Sequence, residues 1–148
     1  MKPQDATRRT AITIEADQTI RAAAELMDHL GVGALAVTEE GHLVGVVTDR
    51  DLVRRGIARS VPAEARIDSM MSTPPVSIDA EADLHDAYGL FRTHGLRRLV
   101  VVHEGRPVGM ITVDALLVDL TDELGALARP VTGQVVFGQH DAPVPATP

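Results

Sequence analysis

An α+β architecture, built twice from one small unit and related by an approximate two-fold axis, is expected from three features of this 148-residue chain. First, the sequence repeats itself. Shifted by 64 residues, positions 10–53 align with 74–117 without a gap, and 13 of the 44 pairs are identical. The identities include Ile14/Ile78, Leu26/Leu90, Gly31/Gly95, Leu35/Leu99, Gly41/Gly105, Gly45/Gly109 and Thr48/Thr112, and most other pairs match in polarity. Second, each copy passes from period-two apolar alternation to a 3.6-residue period and back, which is the signature of strands flanking a helix. Third, glycines recur at the same offsets between these segments, where a chain must turn.

Each copy opens on a short strand, carried by Ile12 and Ile14 in the first and by Val76 and Ile78 in the second. A helix follows, capped by Asp17 or a neighbour. Its apolar positions Ile20, Ala23, Ala24 and Met27 fit the i, i+3, i+4, i+7 stripe, and Leu84, Ala87, Tyr88 and Phe91 hold the same offsets. Gly31 and Gly95 stop these helices, because a left-handed residue costs least without a Cβ. Positions 34–38 and 98–103 are near-continuous apolar runs and imply strands buried on both faces. Glu40-Gly41 and Glu104-Gly105 make hairpin turns into third strands at 43–48 and 107–112.

A second helix starts near Asp49 and near Val113, so the unit reads strand–helix–strand–strand–helix, sheets packed with flanking helices. One copy leaves a sheet face bare, and pairing two copies buries both. Residues 1–60 form the first repeat and residues 74–125 the second. Between them, 61–73 is a linker, with Pro62 inside it and Pro74 and Pro75 just beyond. Residues 126–148 are expected to hold a strand at 133–137 and a frayed, Pro- and Ala-rich end.

Composition removes several classes of function. Hydrophobic residues make up 45% and aromatics 2%, so a core exists and must be built from aliphatic side chains. With no cysteine, disulfide frameworks, thiolate metal sites and cysteine nucleophiles are absent. Strictly aliphatic runs such as 99–102 are far too short to span a bilayer. Residues 1–17 lack the apolar centre of a secretory signal, and a cytoplasmic location is expected. A net charge of −7 argues against a dedicated nucleic-acid binder. The acidity is uneven, with eight basic and nine acidic side chains in residues 1–59 against six and twelve in 60–148. Lys2 is the only lysine, which excludes a Walker-type phosphate loop. None of the four serines sits in a Gly-x-Ser-x-Gly turn, and the six histidines are scattered, so neither catalysis nor a metal site is expected.

The informative segment is Gly45-Val46-Val47-Thr48-Asp49-Arg50-Asp51. Thr-x-x-Asp at a strand-to-helix turn has two readings. It resembles a capping box, worth ~1 kcal/mol. The same geometry also offers an anion site, with Asp51 accepting from ribose hydroxyls and Thr48 bonding a phosphate or sugar oxygen. Arg50, Arg54, Arg55 and Arg59 follow on one helix, either as a solvated face or as a phosphate clamp or nucleic-acid patch. Arg50 is best placed for phosphate, being in the first turn beside Thr48. Arg97 and Arg98 enter a strand, so alternation sends them to opposite faces and one of them toward a cleft.

Tandem units with a G-h-h-T turn after a hairpin, extended to G-h-h-T-x-x-D in copy one, resemble the cystathionine-β-synthase (CBS) domain family. The segment Met70-Met71-Ser72-Thr73-Pro74-Pro75-Val76 is similar to that family's Met-Thr-Pro entrance. His94-Gly95-Leu96-Arg97-Arg98-Leu99 with the valines after it is similar to its second-strand signature. The resemblance spans residues 10–125. It implies a stand-alone CBS pair, or Bateman module, with two clefts that bind adenosyl compounds such as AMP or ATP. Such pairs commonly dimerise and regulate other proteins without being catalysts.

By that resemblance Thr48 and Asp51 match the ribose and phosphate motif of the first cleft. Ile12 and Gly33 mark the strand entries that bound an apolar slot for the base, and Arg50, Arg97 and Arg98 are the basic residues placed to meet phosphate. Copy two departs from the motif. Thr112 is present, but Ala115 stands where Asp51 would, and Asp114 falls one residue early and ~100° around the helix. One competent cleft and one weakened or empty cleft are expected. The expected molecule is therefore an adenine-nucleotide sensor acting through a homodimer or a protein partner, with no required cofactor, no metal and no membrane. The rivals are a ligand-free dimerisation scaffold and a nucleic-acid-associated regulator.

Overall fold

A computed structural model of the chain describes residues 2–3 and 10–140, with side-chain burial through residue 129. The chain divides into two compact units, residues 1–113 and residues 114–148.

The first unit holds both sheets. Strands β1 (Thr13–Glu15), β2 (Ala34–Glu39) and β3 (His42–Thr48) form one, in the order β1-β2-β3. Strands β4 (Ser77–Asp79), β5 (Arg98–His103) and β6 (Arg106–Thr112) form the other, in the order β4-β5-β6. In each sheet the first pair is parallel and the hairpin pair antiparallel. Both hairpins carry a register shift at equivalent positions, Val37/Thr38 and Val101/Val102. The repeat read from the residues is thus reproduced down to the irregularities.

Helix α1 (Ile20–Leu30) bridges β1 and β2, and α3 (Leu84–His94) does the same in copy two. Thr19, not Asp17, caps α1, its hydroxyl accepting from the Ala22 amide at 3.0 Å. Asp83 caps α3 by accepting from the His85 amide at 3.0 Å. Gly31 and Gly95 end the helices at φ 63° and 61°, the left-handed geometry expected of them. Ile20, Ala23 and Met27 are buried, whereas Ala24 is exposed, so the buried stripe is narrower than its sequence period. Residues 34–38 are buried without a break, as their apolar run implied.

The core of the first copy joins these side chains to Ile14, Leu35, Val37, Val47 and Leu52, and also to Ile67 and Met70 of the linker. The linker is stitched to the fold through its backbone. The Ile67 amide donates to the Gln18 carbonyl at 2.7 Å, and Val46 and Ser72 exchange amide–carbonyl bonds of 3.2 and 2.9 Å. Here a left-out side chain at position 45 matters more than a flexible backbone. A Cβ on Gly45 would sit 2.8 Å from Cγ and 3.1 Å from Cβ of Met71. The two copies meet at their hairpin tips, where the Leu43 amide donates to the Gly105 carbonyl at 2.9 Å. Gly41 faces Arg106 and Gly105 faces His42, a reciprocal exchange of equivalent positions that marks a two-fold relation.

After β3 the chain forms α2, a helical segment of three kinds of turn: α at Asp49–Asp51, π at Leu52–Gly56 and 3-10 at Ile57–Arg59. The π turn carries Gly56 against the Met70 side chain, where a Cβ would stand 3.1 Å from Met70 Cε.

The second unit is described from its helix. Helix α4 runs Val113–His140 and counts 28 residues. The strand expected at 133–137 is therefore corrected, since that backbone is helical. The Leu- and Ala-rich stretch 116–128 is strongly helix-forming and carries the helix onward. A lone strand would leave its backbone groups unpaired, whereas a helix satisfies them within the segment. The expected frayed end from 141 lies outside the described residues. Among the described residues no helix is long and apolar enough to cross a membrane.

Candidate functional site

The turn from β3 into α2 forms the capping box in full. Thr48 accepts from the Asp51 amide at 3.1 Å through its hydroxyl, and the Thr48 amide donates to Asp51 Oδ2 at 2.9 Å. These two bonds fix the Asp51 carboxylate inward, leaving its side chain 19% exposed. Its other oxygen, Oδ1, stands 3.8 Å from Arg55 Nε. A carboxylate has about four lone-pair sites, so the cap leaves acceptor capacity on the same group.

Gly33 adjoins this turn. Its carbonyl accepts from the Asp49 amide at 3.0 Å, which ties the entry of β2 to the start of α2. A Cβ at Gly33 would stand 3.2 Å from Arg98 Nη2 and 3.2 Å from Asp49 Oδ2. Glycine is what lets a cation from copy two and an anion from copy one share the notch above its backbone. Ile12 borders the same strand pair, half-buried against the core, with its carbonyl accepting from the Ala36 amide at 2.9 Å.

The structure thus brings Arg98 to Gly33 and Asp49, and joins Asp51 to Thr48 one step further along the same turn, with Ile12 on the neighbouring strand. Of the two arginines entering β5, Arg98 is the one at this notch. Arg97 is exposed, and its carbonyl accepts from the Val113 amide at 3.0 Å. Arg50 stays with Asp51. It lines an open cleft of about 470 Å³ with Asp51, Arg54, Arg55, Ala58 and Arg59. Arg55 also donates to the Met70 carbonyl at 3.1 Å, fastening α2 to the linker.

Asp49 was not singled out by its sequence context, although it flanks Gly33 as closely as Arg98 does. The signal was present in the repeat, because its counterpart in copy two is the apolar Val113. Among the described residues no group of three or more His, Asp or Glu side chains gathers within reach of one metal ion.

Two sheets of one design, joined reciprocally at their hairpins, with a Thr-x-x-Asp box at the end of the first, define a tandem-repeat domain architecture. The CBS domain family model matches residues 4–57 and again residues 67–122, and this chain belongs to that family. The CBS domain-containing protein YhcV of Bacillus subtilis is 37% identical over 107 residues, covering 72% of this chain and 76% of that protein. The crystal structure of Hypoxic Response Protein I with two coordinated zinc ions superposes with a TM-score of 0.71 at 26% identity, over 79% of this chain and 97% of that one. The CBS domain protein PAE2072 of Pyrobaculum aerophilum, complexed with AMP, gives a TM-score of 0.71 at 23% identity, over 78% and 90%. At that identity the likeness is one of fold.

Proposed function

We propose that this chain is a regulatory module that binds an adenine nucleotide, or a related adenosyl compound, in the cleft of its first copy. The observation that carries this reading is the notch at Gly33, where Arg98 of copy two stands beside Asp49, within the turn that Thr48 and Asp51 cap in copy one. A nucleotide needs an acceptor for its ribose hydroxyls and a cation for its phosphate, close together and beside an apolar wall. Asp51 supplies the first, Arg98 the second, and Ile12 with the entry of β2 the third. Thr48 bonds a phosphate or sugar oxygen, and Arg50 and Arg97 lend positive potential from the flanks. Ala115 deprives copy two of the equivalent acceptor, so one cleft is the competent one.

The role is regulatory and not catalytic. Because ligand contacts come from both copies, binding favours the arrangement that closes the notch and shifts the population toward it. That shift is read by a protein partner or by the chain's own homodimer, in the cytoplasm. The rival scaffold reading has one specific observation in its favour, the completed capping box, which would exist without any ligand.

Thermal unfolding with AMP, ATP, NAD and S-adenosylmethionine separates the two. At a hundredfold excess over Kd a ligand adds ~2.7 kcal/mol, which raises the Tm of a chain this size by about 5–10 °C. The nucleotide reading expects such a shift with at least one of them, reduced by Arg98→Ala. No shift with any of the four at millimolar concentration would leave the scaffold.

A further inference from the structure

Helix α2 carries charge that the fold does not require. Residues 50–59 hold four of the chain's fourteen basic side chains, Arg50, Arg54, Arg55 and Arg59, against one carboxylate, Asp51. The 64-residue repeat puts Asp114, Val118, Asp119 and Glu123 at the four equivalent positions, so packing common to both copies has no need of arginine there. Spacings of four place Arg50, Arg54 and Ala58 in one row and Asp51, Arg55 and Arg59 in the next, and these six line the 470 Å³ cleft. A second cleft, of about 450 Å³, opens toward the linker and is lined by Arg55, Arg59, Val61, Ser69 and Met70. Its linker wall is fixed in place, because the π turn rests Gly56 on Met70 and Arg55 donates to the Met70 carbonyl. Turns of this kind occur often at functional sites. Arg55 also faces Asp51, whereas among the described residues Arg54 and Arg59 make no ion pair.

We propose that the two clefts form one anion site, separate from the notch at Gly33, and that it takes a linear polyphosphate chain. Arg55 and Arg59 line both clefts, so an anion lying across them is elongated and carries charge along its length. Guanidinium groups suit it, since each presents a planar fork that matches phosphate oxygens. Asp51 is the one lining group that an anion avoids, which leaves that carboxylate to the ribose of the nucleotide reading. A nucleic acid fits this face less well. Its bases would need aromatic platforms, and residues 49–73 contain no aromatic side chain. A long polyanion also meets the net charge of −7 around the patch. A short chain stays within the clefts, whose volumes are those of small-molecule sites. The site uses none of Gly33, Asp49 and Arg98, so it is independent of nucleotide binding at the notch.

Isothermal titration of the full chain with inorganic tripolyphosphate decides it. One tripolyphosphate per chain is expected at low salt, with affinity that falls about tenfold or more on going to high salt, because opposite charges are screened. Saturating AMP should leave that binding in place. Arg54→Gln with Arg59→Gln should weaken it by roughly tenfold or more. Circular dichroism confirms that the variant is folded, and the AMP and salt arms on the wild type stand alone if it is not. ATP titrated into AMP-saturated protein distinguishes the source of the chain. Tighter binding than tripolyphosphate supports a nucleoside-borne chain and weaker binding a free one, each reduced by Arg54→Gln with Arg59→Gln. No binding at millimolar tripolyphosphate overturns the proposal, as does its displacement by AMP, which would put the anion in the notch. So does an affinity unchanged in the variant, or an oligonucleotide that binds through these arginines more tightly than tripolyphosphate.

Discussion

Thr48 and Asp51 show how a single pair of side chains ties the start of a helix to the strand before it. Their reciprocal bonds at 3.1 and 2.9 Å satisfy two backbone amides at the start of α2. Thr48→Ala should therefore cost about 0.5–2 kcal/mol, read as a lower denaturant midpoint with an unchanged slope. Gly33 and Gly45 are both glycine for reasons of contact, but the contacts differ. At Gly33 the neighbours are the charged ends of Arg98 and Asp49, and at Gly45 the neighbour is the root of the Met71 side chain. Gly45→Ala should destabilise by about 1–3 kcal/mol through overpacking, measured by chemical unfolding. Arg98→Ala should leave stability nearly untouched, since its exposed side chain makes no core contact. It should weaken nucleotide binding by roughly ten- to a hundredfold, the loss expected for a charged hydrogen bond.

At the scale of elements, the strands and first helices were legible because their cause is local. Apolar periodicity, turn glycines and caps are written in neighbouring residues, and Glu40-Gly41 and Glu104-Gly105 show it, with positive φ at all four positions. What was not legible depends on contacts distant in sequence. The linker residue Ile67 is wholly buried, yet its sequence surroundings of Pro, Ala, Glu and Arg are those of a loop. Ile67→Ala should cost about 2–5 kcal/mol, more than a flexible connector would allow, and an unfolding midpoint reports it. The strand expected at 133–137 failed for the opposite reason. Val135, Val136 and Phe137 favour strand locally, but the helix already running through α4 decides their backbone. In the candidate site, Thr48 and Asp51 were legible from their three-residue spacing. The meeting of Arg98 with Gly33 was not, because it brings a side chain onto a backbone 65 positions away through the packing of two copies.

For the molecule as a whole, duplication followed by divergence explains where the copies agree and where they differ. The two copies keep the residues that build sheets and turns, including the bulges at equivalent positions. They differ where ligand chemistry would sit, with Asp49 and Asp51 in one and Val113 and Ala115 in the other. The proposed reading needs this combination of shared packing and unequal turns, by which a ligand on one side would bias the relation between both. Isothermal titration of AMP into the wild type and into Asp51→Asn tests that claim most directly, since the Asn carbonyl can still accept from the Thr48 amide and keep the cap. One nucleotide per chain for the wild type, with affinity lowered tenfold or more in Asp51→Asn, is the expected result. Equal affinity in both proteins, or two equivalent sites per chain, would contradict it.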